Sequence, residues 1–137
     1  MKVWKIASRW SNDGNSNSVL HLFKEHKIAF VENKKNIRVD EVEIGDLFAI
    51  SDGFKIVGIG RVLNEVKAIT DFNVQSLNQY NEEECTVGFG IEPLYLSEAE
   101  VIHYEHMGRF HELHDEERKK VIKLWEQNII NLSLANR

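Results

Sequence analysis

The sequence predicts an α+β domain: a curved mixed sheet or small β-barrel with flanking helices. Three observations predict it. Short apolar runs bounded by turn residues recur along the chain, which is how strands read. A helical stripe lies near each end. No repeat, linker or low-complexity tract interrupts the 137 residues, so the whole chain, 1–137, reads as one domain.

Val3-Trp4-Lys5-Ile6-Ala7 alternates weakly and reads as the first strand. Ser11 to Asn17 is a dense run of turn and cap formers. Val19, Leu22, Phe23 and His26 then fall at i, i+3, i+4 and i+7, one face of a short helix. Ile28 to Val31 reads as a buried strand. Gly45-Asp46 enters the run Leu47 to Ile50, and Ser51-Asp52-Gly53 turns the chain into Phe54 to Leu63, so a β-hairpin is expected. Residues 78–84 read as a surface loop, and 85–91 and 100–104 as further strands. Asp115 caps a last helix whose face carries Val121, Leu124, Trp125, Asn128 and Ile129.

Composition narrows the function classes. Charged residues are 28% and hydrophobic residues 42%, the balance of a chain with a packed core rather than a disordered one. Cys85 is the lone cysteine, which rules out an intrachain disulfide and suits a reducing compartment. Neither a signal peptide nor an apolar span is visible, so the expected location is cytoplasmic, with no membrane partner. The net charge of −5 argues against non-specific nucleic-acid binding. That charge is uneven, however: residues 1–40 balance at +4 and the remainder at −9.

Several motifs carry chemistry in principle. Gly58 and Gly60 share one strand face, as do Gly88 and Gly90, so something approaches the backbone closely there. Packing of the first helix accounts for this more simply than a ligand, and the third glycine of a phosphate loop is missing. His103/His106 and His111/His114 are spaced i, i+3, but neither pair has a complete ligand set, so no metal and no cofactor are expected. Cys85 follows three glutamates, which oppose thiolate formation, and no nucleophile elbow occurs. These residues favour a binding module over an enzyme.

The segment from Ser8 to Asn15 is the most suggestive. Trp10 offers a ring on which a base could stack, Ser8, Ser11 and Asn15 could read its edge, and Arg9 could take a phosphate. Lys35 and Arg38 belong to the same basic third of the chain. Turn and cap chemistry explains every small polar residue there, with Trp10 then a core residue, and on these residues alone that is the simpler account.

Three stretches together resemble the EVE-type branch of the PUA-like superfamily: Val3 to Ala7, Glu43 to Ile50, and Lys55 to Val62 with its Gly-Ile-Gly-Arg-Val pattern. The segment after Ile6 and the region after Thr70 depart from the pattern. The resemblance implies a PUA-like curved or barrel-like sheet and association with DNA or RNA. It also implies recognition of a flipped or modified base in an aromatic-walled pocket, as in domains of modification-dependent restriction systems. Gly45, Asp46, Gly58 and Gly60 carry over as structural elements alone. One alternative is a small hydrolase or ribonuclease acting on nucleic acid or nucleosides. Another is a protein-interaction or small-ligand module, with the last helix docking a second copy as a homodimer.

Overall fold

The computed structural model describes residues 1–12, 15–33, 37–78, 86–105 and 108–135, by backbone alone for 10–16 and 131–135. The architecture is α+β, with a mixed sheet curled into a half-barrel and a few helices against it. The strands are β1 (Val3–Ala7), β2 (Arg9–Asn12), β3 (Asn15–Ser18), β4 (Ile28–Glu32), β5 (Leu47–Asp52) and β6 (Lys55–Val62), then β7 (Lys67–Ala68), β8 (Thr86–Tyr95), β9 (Ile102–His103) and β10 (Phe110–Leu113). The helices are α1 (Leu20–His26), α2 (Gln75–Asn78) and α3 (Asp115–Ala135), with 3₁₀ turns at Val39–Glu41 and Ile69–Phe72. Among the described residues no helix is long and apolar enough to cross a membrane.

The main sheet runs in the order β10-β1-β5-β6-β8-β4. β1 and β5 pair in parallel and the other neighbours are antiparallel. The expected hairpin forms: Leu47 pairs with Arg61, Phe48 with Gly60 and Ala49 with Ile59. Its turn is tighter than expected, because Ser51 and Asp52 stay in the strand and Gly53, at φ +65°, makes the reversal.

Strand alternation divides the core between the two faces of the sheet. Trp4, Ile6, Phe48, Ile50 and Phe110 pack inside the curl with Phe23 of α1 and Phe30 of β4. Val3, Leu47, Ala49, Ile59 and Leu113 pack on the other face under Val121 and Trp125 of α3. β1 and β5 are therefore buried on both sides, which is why they read as nearly continuous apolar runs. Asn128 of α3 donates to Glu100 and Ile129 is partly exposed, so the packed face of that helix ends near Trp125.

A buried carboxylate fixes the entry to β5. Asp46 accepts from the Trp4 indole N–H at 3.1 Å, the Glu43 N–H at 2.9 Å and the Lys2 N–H at 3.0 Å. Gly45, at φ +93°, allows the turn that brings Asp46 inward. The Trp4 ring lies stacked on Phe110, with centroids 5.4 Å apart.

Four expectations change. The run from Ser11 to Asn17 is no simple turn, because β2 and β3 pair across it as a separate two-stranded sheet. The glycines of β6 admit side chains of β8 rather than helix α1: a Cβ at Gly58 would lie 2.8 Å from the Tyr95 ring, and one at Gly60 would lie 2.9 Å from Ile91. The expected strand over 100–104 shortens to Ile102–His103, since Ser97 and Glu100 close a turn before it. The stretch holding His111 is strand β10, so helical i, i+3 spacing does not apply to His111 and His114. Cys85, His106 and most of the expected loop lie outside the described residues.

Removing the Asp46 carboxylate leaves three donors unsatisfied. Asp46→Ala is expected to lower stability by about 3–5 kcal/mol, and Asp46→Asn by less, because one acceptor oxygen survives. Urea unfolding followed by tryptophan fluorescence measures both. A loss under about 1 kcal/mol for Asp46→Ala would contradict this role.

Tyr95 gives a pH-dependent expectation. Its hydroxyl is buried with no hydrogen-bond partner among the described residues, and burial raises its pKa to about 12. In the unfolded chain the phenol ionises near 10.0, so above that pH the unfolded state releases a proton that the folded state keeps. Stability therefore falls as pH rises from about 10 towards 12. Tyr95→Phe is expected to match or exceed the parent near neutrality and to lose less in this alkaline window. Tyr104, also raised, leaves a residual slope of the same sign. Denaturation curves at neutral and alkaline pH test it, and equal alkaline losses in parent and variant would refute it.

Candidate functional site

The β2–β3 hairpin leaves the C-terminal end of β1 and is tied to the sheet at its base. The Ser8 N–H and hydroxyl both donate to the Ser51 carbonyl at 2.8 Å. The Val19 N–H closes the base from the other side by donating to the Ser8 carbonyl at 2.6 Å. Arg9 Nε pairs with Asp52 Oδ1 at 2.7 Å beside the β5–β6 turn. That pair is partly exposed, so it contributes at most about 1 kcal/mol and can exchange for another anion.

Register determines which hairpin residues share a face. Arg9 pairs with Ser18, Trp10 with Asn17, Ser11 with Ser16 and Asn12 with Asn15. Side chains alternate along a strand, so positions 10, 12, 15 and 17 lie on one face and 9, 11, 16 and 18 on the other. The first set is Trp10, Asn12, Asn15 and Asn17; the second is Arg9, Ser11, Ser16 and Ser18. A tryptophan among three asparagines is chemically apt for holding a base. In general an indole ring can stack on a base, and a carboxamide has both a donor and an acceptor.

The residues nominated from sequence thus separate. Asn15 shares a face with Trp10, whereas Ser11 lies with Arg9. Ser8 is fully buried and its hydroxyl is held by Ser51, so it secures the hairpin base and has no exposed edge with which to read a base. Arg38 stands elsewhere, with its guanidinium 5.2 Å from the centre of the Trp4 ring. It binds Glu41 through two hydrogen bonds and Glu112 at 3.2 Å. The Arg38–Glu41 contact lowers the pKa of Glu41 and raises that of Arg38. Lys35 lies outside the described residues.

Sequence reasoning missed Asn12 and Asn17, and it missed Phe54. The asparagines join Trp10 only through the hairpin register, for which Asp13-Gly14 was the available signal. Phe54 sits 57% exposed on the β5–β6 turn, beside Asp52 and Lys55. Its carbonyl accepts from the Tyr104 N–H at 2.8 Å, which fixes the backbone there.

A second polar cluster lies between β1 and β10. Lys5 is opposite His111 in the register, is buried, and donates from Nζ to the Gly108 carbonyl. Desolvation lowers the pKa of its ammonium. His111 Nε2 and Tyr104 Oη are 2.7 Å apart. Among the described residues no group of three histidine, cysteine or acidic side chains could hold a metal. Compared with known proteins, the chain matches no family model and no curated sequence.

Proposed function

We propose that this chain is a nucleic-acid-binding module of PUA-like, EVE type that takes a flipped or modified base at the β2–β3 hairpin. The observation that carries the reading is the register that groups Trp10 with Asn12, Asn15 and Asn17. Trp10 supplies the stacking surface, and the asparagine amides read the base edge. Arg9 exchanges Asp52 for a phosphate, since an exposed ion pair is only weakly held. Phe54 adds an exposed aromatic at the same end of the sheet. The hydrolase alternative needs a lysine or histidine beside a carboxylate in the same pocket; Lys5 faces a backbone carbonyl, and His26, which meets Glu25 at 3.9 Å, lies on α1 rather than on the hairpin.

Fluorescence anisotropy with short DNA and RNA strands, modified and unmodified, tests this reading. Trp10→Ala is expected to weaken binding by about 1–3 kcal/mol. Arg9→Ala is expected to weaken all sequences alike and to flatten the salt dependence. Thermal melts must accompany the titrations, because a large fall in melting temperature would mark Trp10 as a core residue. A folded Trp10→Ala protein that binds as tightly as the parent would remove the stacking role. A parent that binds no strand at low salt would end the nucleic-acid reading.

A further inference from the structure

A groove of about 430 Å³ opens at the end of the sheet opposite the hairpin, lined by Asp40, Val42, Glu43, Ile44, Glu65 and Val66. Its volume lies in the range that binding sites occupy. Val42, Ile44 and Val66 are its apolar residues, and Ile44 is 62% exposed although it sits in the turn that Asp46 holds rigid. Asp40, Glu43 and Glu65 ring that apolar surface from two separate segments of the chain. Among the described residues none of these three carboxylates makes an ion pair. Among the described residues, Lys2 and Arg38 lie over the Trp4 ring and Arg61 faces Glu92.

We propose that this groove docks a short basic and apolar segment of a partner protein. Charge complementarity selects that occupant. One apolar side chain packs on Val42, Ile44 and Val66, and flanking lysines or arginines face the three carboxylates. Desolvating an exposed isoleucine supplies affinity, and the carboxylates supply selectivity and salt dependence. The same charges repel a nucleic-acid backbone, so the occupant differs in kind from the ligand proposed for the hairpin.

The full chain should be titrated with a fluorescent nonapeptide alternating lysine and leucine. Peptides alternating glutamate with leucine and lysine with serine serve as controls. The lysine–leucine peptide is expected to bind, to weaken as salt rises, and to outcompete both controls. Ile44→Ser and the pair Glu43→Lys with Glu65→Lys are each expected to weaken it by about tenfold or more, which is about 1.4 kcal/mol. All three side chains are exposed, so the variants should melt like the parent; Glu65→Gln replaces the lysine pair if that pair unfolds. Absence of binding, or binding unchanged in both variants, would overturn the proposal. Stoichiometric calcium or magnesium binding lost in Glu43→Lys would make the groove a cation site instead. Self-association lost in Ile44→Ser, with no peptide binding, would make it a contact between copies.

Discussion

The Asp46 carboxylate gathers donors from three places in the chain: the N-terminal segment at Lys2, the first strand at Trp4 and its own turn at Glu43. Those bonds align the start of β1 with the start of β5, a parallel pair that no short turn can set. The backbone completes the alignment, with the Leu47 N–H donating to the Lys2 carbonyl and the Val62 N–H to the Asp46 carbonyl. Once β5 is placed, β6 follows by the hairpin and β8 by pairing with β6. Trp4 is held at the same time with its ring on Phe110, and the inner core builds around it. A charged group buried this deeply is tolerable because donors meet both of its oxygens.

This arrangement gives the sheet two chemically different ends. The Asp46 end carries the acidic groove, whose carboxylates make no ion pair among the described residues and stand around an apolar floor. The other end carries the hairpin, where Arg9 is lightly held by Asp52 and Phe54 is exposed. β1 and β5 run between them, buried on both faces, so the two ends are joined through the core of the sheet. The net acidity of the chain therefore says little about the hairpin. Residues 1–40 have the opposite sign, and much of the acidity lies in the rest of the chain, including Glu43 and Glu65 of the groove.

Much of this was legible in the residues. The β5–β6 hairpin and the first helix followed from apolar runs and spacing, since local contacts dictate them. The role of Asp46 as a structural residue was legible only through the resemblance, because its partners Lys2 and Trp4 lie more than forty positions away. The hairpin from Arg9 to Ser18 was hidden because serine and asparagine serve turns and caps as readily as strands. Its faces emerged only with the register, which divided Ser11 from Trp10 and brought in Asn12 and Asn17. Ser8 read as a polar site residue, yet a serine at the end of a buried strand can equally hold the next backbone segment. Glycine spacing on β6 marked a close approach correctly but could not say that Tyr95 and Ile91 fill it, because β8 pairs there from more than thirty residues away.

We propose that the hairpin end, and not the groove end, meets nucleic acid. Amide chemical-shift mapping during titration with a short single strand tests it most directly. Shifts are predicted for the amides of Arg9 to Asn12, Asn15 to Ser18 and Asp52 to Lys55, while those of Asp40 to Gly45 and Glu65 to Val66 stay still. Shifts concentrated at the groove, or a spectrum unmoved by any strand at low salt, would contradict it.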